Sequence, residues 1–249
     1  MCFDIDSEPP IPRIAGAAVS HDDLVLAAAD GNNFAAFLAV PDGATSTGVV
    51  ILPDVRGLFH FYEELALRFA ERGQLAVSLD YFGRTAGSAK RDADWEYMPH
   101  VEQTTDDGVQ ADTHAAVAEL RSRGATSVFS VGFCFGGRAS WVAAASGHGL
   151  AGSIGFYGSP TRERGGPSVV QRVEQIECPI LALQAGDDQS ITAEDNATFE
   201  QALAAAGVEH EIVVYDGAPH SFFDRKQEEF ADASDDAWER TLAFIAQHS

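Results

Sequence analysis

Residues 132–137 read Gly-Phe-Cys-Phe-Gly-Gly, and this stretch decides how the rest of the chain is interpreted. The apolar run Val128–Val131 before it predicts a buried strand, and the pattern Gly136–Ser146 after it predicts a helix. Glycines two positions before and after Cys134 leave room for a sharp strand-to-helix turn. Such a turn would place the sulfur at the N-terminal end of the helix, where the helix dipole favours a thiolate.

The stretch matches the pattern G-x-S-x-G, with cysteine in place of serine. That pattern forms a nucleophile elbow, which exposes a nucleophile at the top of a parallel sheet. An isolated match is more often a buried structural cysteine beside a glycine turn. The predicted strand before Cys134 and the predicted helix after it favour the nucleophile.

Strands and helices alternate on both sides of this turn. Asp22–Ala28 and Phe34–Val40 flank the turn signal Asp30-Gly31 and predict an N-terminal hairpin. The other predicted strands are Val49–Leu52, Leu75–Leu79, Ala151–Tyr157, Ile180–Ala185 and Glu211–Tyr215, and the other predicted helices are Phe61–Arg72, Asp106–Arg123, Thr192–Gly207 and Trp238–Gln247. The alternation predicts an α/β protein, and together with the nucleophile elbow it resembles the α/β-hydrolase fold. Its central sheet would be mostly parallel with helices on both faces, in a single domain over residues 1–249.

Two further residues complete a candidate catalytic triad. Proteins with a nucleophile elbow place the nucleophile, the acid and the histidine in that order along the chain. Asp188 follows the predicted strand Ile180–Ala185, and His220 follows the predicted strand Glu211–Tyr215. Side chains just past the carboxyl ends of parallel strands gather at one edge of the sheet. The neighbouring Asp187 could serve as the acid instead, and either carboxylate alone could be a turn residue.

Composition excludes several classes of partner. Thirty-eight acidic residues against 16 basic residues give a formal net charge of -22. A nucleic acid would be repelled, and an anionic membrane surface is disfavoured for the same reason. The N-terminus lacks the pattern of a secretory signal, and no stretch reaches the ~18 apolar residues of a membrane span. We therefore expect a cytoplasmic protein, a monomer or small homo-oligomer, with a small-molecule substrate.

Metal and disulfide sites are not indicated either. The chain has three cysteines and no CxxC or HExxH spacing, so we expect no metal and no other cofactor. Cys2 and Cys178 are expected to be inert.

Five segments resemble the dienelactone hydrolase family, also called carboxymethylenebutenolidases. The similarity runs from about Ala35 to the last helix, and the segments are Pro53–Leu58, Asp80–Arg84, Gly132–Gly137, Gly155–Gly158 and His220–Phe222. The resemblance implies a cofactor-free hydrolase of an enol-lactone that carries a carboxylate. It implies that Cys134 attacks the carbonyl, that Asp188 orients His220, and that His220 protonates the leaving enolate. The backbone N–H groups of Val55 and Phe135 would form the oxyanion hole.

The resemblance also suggests residues around the substrate. Asp54 stands where family members typically carry a glutamate that receives the thiol proton, although the shorter side chain could equally serve a local turn. Arg84 matches a family arginine that pairs with the substrate carboxylate, and Arg225 lies one position beyond a second. Arg56 could face the site or pair with a neighbouring helix, and Tyr157 could line the pocket.

Two other functions remain open from the residues alone. One is a broader carboxylesterase or thioesterase for neutral esters, with Arg84 outside the pocket. The other is a non-catalytic ligand-binding protein on the same fold, because a fold does not determine a function. The presence of cysteine, aspartate and histidine in the expected order argues against the second.

Overall fold

The central sheet organises the fold. The computed structural model describes residues 3–17, 19–92 and 94–249, and Cys2 therefore lies outside the described residues. Among these residues, eight strands form one sheet in the order β1-β2-β4-β3-β5-β6-β7-β8. The strands are β1 (Val19–Ala27), β2 (Asn33–Pro41), β3 (Thr47–Leu52), β4 (Leu75–Leu79), β5 (Ser127–Phe133), β6 (Gly152–Phe156), β7 (Ile180–Asp187) and β8 (His210–Pro219).

Most neighbouring strands run parallel. The pairs β1–β2 and β2–β4 are antiparallel, and every pair from β4 through β8 is parallel. The β1–β2 hairpin turns at Gly31, whose φ of +85° is the left-handed conformation that glycine adopts without a steric penalty. The predicted hairpin and the mostly parallel sheet are therefore confirmed.

Helices fill the connections between strands. They are α1 (His60–Ala70), α2 (Gly83–Ala86), α3 (Met98–Val101), α4 (Asp106–Ser122), α5 (Phe135–Ala144), α6 (Ala193–Ala206) and α7 (Ala231–His248). Helix α6 shows how local sequence sets a boundary. Thr192 and Asp195 form a reciprocal capping box at its start, and Gly207 adopts the left-handed conformation at its end.

Alternating side chains of the strands build two hydrophobic layers. Val49 and Ile51 pack with residues of α1 and α7 on one face of the sheet. Val50 and Leu52 pack with residues of α4, α5 and α6 on the other face. All four of these β3 residues are fully buried, as expected for a parallel strand covered on both sides. The predicted fold class, with helices on both faces, is confirmed.

Two helical predictions differ from the structure. Helix α7 begins at Ala231, seven residues before the predicted start at Trp238. Its N-cap residue is Phe230, which makes no side-chain capping bond, so the sequence carries no start signal there. The sequence predicts no helix between Leu79 and Asp106, where the structure has α2 and α3, both too short to show a helical period.

Within the described residues, no helix is both long enough and apolar enough to span a membrane.

Candidate active site

Cys134 stands at a strained turn between β5 and α5. Its φ of 56° and ψ of -111° lie outside the regions that non-glycine residues favour, a strain of roughly 1–3 kcal/mol that recurs at functional sites. The backbone N–H of Cys134 donates to the carbonyl oxygen of Phe156 on β6 at 3.0 Å, which ties the turn to the next strand.

The glycines that flank Cys134 are required by close backbone contacts. A Cβ on Gly132 would lie 1.9 Å from the carbonyl oxygen of Gly136. A Cβ on Gly136 would lie 1.9 Å from the carbonyl oxygen of Leu52 on β3. Carbon atoms in proteins do not approach backbone oxygens this closely, so any larger residue at either position would push the turn apart.

Asp188 and His220 are held together by a hydrogen bond. β7 ends at Asp187 and β8 ends at Pro219, so both side chains follow their strands directly. The Nδ1 atom of His220 lies 2.5 Å from Oδ2 of Asp188, and the other carboxylate oxygen of Asp188 accepts from the N–H groups of Ser190 and Ile191. The side chain of Asp188 is 2% exposed. Asp187 is exposed and accepts from Gln189, so the structure pairs His220 with Asp188.

The ionised state of Asp188 is favoured by these contacts. Burial by itself would raise the pKa of Asp188, because it removes water from the carboxylate. The hydrogen bond to His220 and those from Ser190 and Ile191 outweigh burial, and the pKa is lowered below its usual value. Asp188 is therefore negatively charged at neutral pH and can hold the histidine in one orientation.

A cavity of about 430 Å³ brings the candidate residues together. Its wall contains six residues expected at the site: Val55, Cys134, Phe135, Tyr157, Asp188 and His220. The aromatic rings of Tyr157 and His220 lie 4.9 Å apart between centroids, and Tyr157 is 1% exposed. The cavity is large enough for a small ligand.

Asp54 is buried beside this region without entering the cavity wall. One carboxylate oxygen accepts from the N–H of Arg56 at 2.8 Å, which is the local turn that the sequence left open. The N–H of Asp54 donates to the hydroxyl of Tyr62 at 2.9 Å. Burial raises the pKa of Tyr81, and the negative charges of Asp54, Asp80 and Cys134 raise it further.

Arg84 is not in the wall of this cavity, so its expected contact with the substrate stays a prediction. Its guanidinium binds the carboxylates of Asp30 at 2.8 Å and Asp112 at 2.6 Å, and Asp112 is fully buried. Burial lowers the pKa of Arg84 less than these two carboxylates raise it, so the charge is fixed and neutralised in place. The sequence does not predict this pairing, because Asp30 and Asp112 lie 54 and 28 residues away from Arg84 along the chain.

Arg225 and Arg56 are also absent from the cavity wall. Arg225 forms an ion pair with Glu8 and donates to the carbonyl oxygen of Pro9, so the N-terminal segment occupies its guanidinium. The guanidinium of Arg56 lies 5.9 and 5.7 Å from the ring centres of Phe59 and Tyr97. A substrate contact of either arginine stays a prediction.

Three other arginines line the cavity and were not expected there. They are Arg138 on α5, and Arg162 and Arg164 on the loop that follows β6. The sequence shows the segment from Arg162 to Ser168 as polar and rich in glycine. Two arginines shortly after a strand end, in a chain with 16 basic residues, are the signal that could have identified them.

Cys178 differs from Cys134 in its surroundings. It is 7% exposed, and burial raises the pKa of its thiol to about 12. A thiol in this state is protonated at neutral pH and is a weak nucleophile.

Among the described residues, no group of three or more histidine, cysteine, aspartate or glutamate side chains could hold a metal ion.

Comparison with known proteins identifies the family. The model of the dienelactone hydrolase family matches residues 34–249. A protein of Yersinia pestis, provisionally named carboxymethylenebutenolidase, is 31% identical over 228 residues, which are 88% of this chain and 85% of the relative. The carboxymethylenebutenolidase of Rhodococcus opacus is 30% identical over 259 residues, covering 100% of this chain and 97% of the relative.

A solved structure agrees with this assignment. The crystal structure of a Klebsiella pneumoniae protein, provisionally named dienelactone hydrolase, superposes with a TM-score of 0.80 at 26% identity. The match covers 92% of this chain and 99% of that protein. The chain belongs to the dienelactone hydrolase family and is a hydrolase of ester or lactone bonds.

Proposed function

We propose that this protein hydrolyses ester or lactone bonds with Cys134 as the nucleophile, His220 as the acid and base, and Asp188 as the residue that orients His220. The observation that carries this proposal is a shared cavity. Its wall contains both the strained turn at Cys134 and the pair Asp188–His220, in which Oδ2 and Nδ1 lie 2.5 Å apart. A nucleophile, a base and an orienting acid in one cavity form the arrangement that acyl transfer requires.

The first half of the reaction forms a thioester. His220 accepts the thiol proton, and the sulfur of Cys134 attacks the carbonyl carbon of the substrate. The N–H groups of Val55 and Phe135, both in the cavity wall, donate to the oxyanion of the tetrahedral intermediate. The intermediate collapses with cleavage of the carbon–oxygen bond, and His220 gives its proton to the leaving alkoxide or enolate.

The second half regenerates the enzyme. His220 removes a proton from a water molecule, which attacks the thioester carbonyl through a second oxyanion. Collapse releases the carboxylic acid and returns the proton to the sulfur of Cys134. Asp188 stabilises the imidazolium in both halves and is not itself protonated. Asp54 is proposed to assist proton removal from Cys134, and the support for this role is that Asp54 is fully buried and precedes Val55 of the cavity wall.

A second candidate is an esterase for neutral esters. It is favoured by the position of Arg84 and Arg225, which are neutralised outside the cavity. It is also favoured by the apolar side chains of Val55, Phe135 and Ile191 in the cavity wall. The chemistry at Cys134 is the same for both candidates, so they differ in the group that the rest of the cavity binds.

The proposal is tested by comparing Cys134→Ala with Cys178→Ala. Turnover of para-nitrophenyl acetate and of a dienelactone should fall by at least about 10³-fold in Cys134→Ala, because the covalent route is lost. Cys178→Ala should keep the wild-type rate, since that thiol is buried and lies outside the cavity. Mass spectrometry of the wild type after rapid quenching should detect an acyl group on Cys134.

Two results would contradict the proposal. One is wild-type protein that turns over neither substrate, which would favour a binding function. The other is Cys134→Ala with full activity, which would assign the nucleophile to another residue.

A further inference from the structure

The cavity contains three positively charged side chains that the proposed reaction does not use. Arg138, Arg162 and Arg164 all lie in its wall. Arg138 is committed to the fold, because its guanidinium binds both carboxylate oxygens of Asp106 at 2.7 and 3.0 Å. The positive charges open to a ligand are therefore those of Arg162 and Arg164.

Neither of these two arginines is neutralised within the described part of the chain. No ion pair to a described carboxylate is formed by Arg162 or by Arg164, whereas Arg84 and Arg225 both have one. Arg162 is exposed. Arg164 is half-buried, donates to the carbonyl oxygen of Val101 at 3.2 Å and packs 5.1 Å from the ring centre of Phe135. Of its five N–H donors, the one on Nε is buried and one on Nη2 is used, which leaves three for a ligand.

The charges of the cluster act on one another. Burial lowers the pKa of Arg164, and the like charges of Arg162 and Arg138 lower it further, while the charges of Cys134 and Glu102 raise it. An anion placed between the arginines would relieve this repulsion. The cavity wall also contains Asp187 and Asp188. Asp188 is paired with His220, and Asp187 accepts from Gln189.

The loop that carries Arg162 and Arg164 is anchored before any ligand binds. Arg138 donates to the carbonyl oxygens of Arg162 and Pro167, each at 3.0 Å. Arg172 donates to the same carbonyl of Pro167 and to Asp106. Gly165 packs so closely on α4 that an added Cβ would lie 2.9 Å from Thr105. A loop held in this way loses little conformational entropy when a ligand binds.

We propose that Arg162 and Arg164 bind a carboxylate of the substrate while Cys134 attacks its ester or lactone carbonyl. This inference rests on the proposed function and deepens it. It assigns specificity for an anionic substrate to the loop after β6 and not to Arg84 or Arg225. Guanidinium groups suit this task because their planar fork of donors matches a carboxylate.

The test uses two substrates that differ in one charge. The first is para-nitrophenyl hydrogen succinate, which carries a free carboxylate, and the second is its methyl ester, which is neutral. Arg162→Gln, Arg164→Gln and the double variant are compared with the wild type. Arg225→Gln is the matched control, because it removes an exposed arginine outside the cavity.

The wild type should prefer the anionic substrate. Each single variant should lower kcat/KM for that substrate about tenfold, and the double variant about 100-fold, as expected for lost charge-assisted hydrogen bonds. The loss should appear in KM with kcat retained, because the carboxylate is bound equally in the ground state and the transition state. The neutral ester should keep its kcat/KM in all variants, which also shows that they fold. Arg225→Gln should keep the wild-type values for both substrates.

Other results separate the two proposals. A wild type that hydrolyses neither substrate nor the esters above overturns the proposed function, and the inference with it. Hydrolysis of both succinates without a preference for the anion overturns the inference alone. So does an equal loss for both substrates in Arg162→Gln, whose exposed side chain makes no hydrogen bond or ion pair to a described residue. If Arg225→Gln lost the preference for the anionic substrate, binding of the carboxylate would be assigned to Arg225 instead.

Discussion

Residues of the same type have different roles at this site, because the fold gives them different hydrogen-bond and ion-pair partners. Asp187 and Asp188 are adjacent and chemically identical, and yet one is exposed while the other is hydrogen-bonded to His220 at 2.5 Å. Arginines divide in the same way. Arg84 meets the buried carboxylate of Asp112, whereas Arg162 meets none among the described residues. Residue type alone therefore does not determine the role of a charged side chain here.

The contrast between the two aspartates predicts a difference in activity. Asp188→Asn should lower kcat for an activated ester by about 10²- to 10⁴-fold, because an amide neither holds the required tautomer of His220 nor stabilises its charged form. Asp187→Asn should stay within about threefold of the wild type, since surface substitutions away from a partner have small effects. Initial rates at saturating substrate measure both. Equal losses in the two variants would contradict the assignment of Asp188.

At the scale of elements, the packing of α4 against α5 contains a buried histidine. His148 follows α5 and is 6% exposed. Its Nε2 lies 3.0 Å from Oε1 of Gln110, and its Nδ1 lies 3.4 Å from Nδ1 of His114. Burial, together with the nearby charges of His114 and Arg121, lowers the pKa of His148 to about 4.

This histidine predicts a pH dependence of stability. The pKa of a histidine in the unfolded chain is about 6.5. Between pH 6.5 and about 4, the unfolded chain therefore binds a proton at His148 that the folded chain does not bind. The free energy of unfolding should therefore fall as the pH drops through this window, by on the order of 3 kcal/mol at most from this group. His148→Gln should remove that part of the slope. Urea unfolding at several pH values measures it, and identical slopes in both proteins would refute the prediction.

At the scale of the whole molecule, the net charge of -22 opposes the local charge of the cavity. Long-range repulsion of an anion is screened by salt, while contacts at hydrogen-bond distance are screened much less. Raising the ionic strength from about 0.01 to about 0.15 M shortens the Debye length from about 30 to about 8 Å. Screening should therefore help an anionic substrate to approach.

The succinate pair measures this effect. For the anionic substrate, kcat/KM of the wild type should rise about threefold over that range of salt, since steering fields change association rates by such factors or more. For the neutral methyl ester it should not change. A fall with salt for the anion would show that attraction by the arginines of the cavity outweighs the net charge even at long range.

The sequence by itself determined the order of strands and helices, the turn at Cys134, and the placement of Asp188 and His220 after β7 and β8. These features show in the sequence as the period of apolar residues and as the glycines on either side of Cys134, and both patterns are local. The reason for Gly136 is not local, because an added Cβ would meet the backbone of Leu52 on β3. The sequence did not predict the start of α7, because its N-cap residue Phe230 has no side chain that can cap a helix.

Tertiary structure alone decided which arginines face the cavity. Arg84 pairs with Asp112, and Arg225 with Glu8, across long separations in the sequence. Arg162 and Arg164 reach the cavity because Arg138 and Arg172 anchor their loop to Asp106 on α4. Ion pairs form wherever the folded chain brings opposite charges together, and such proximity has no signature in a local pattern of residues.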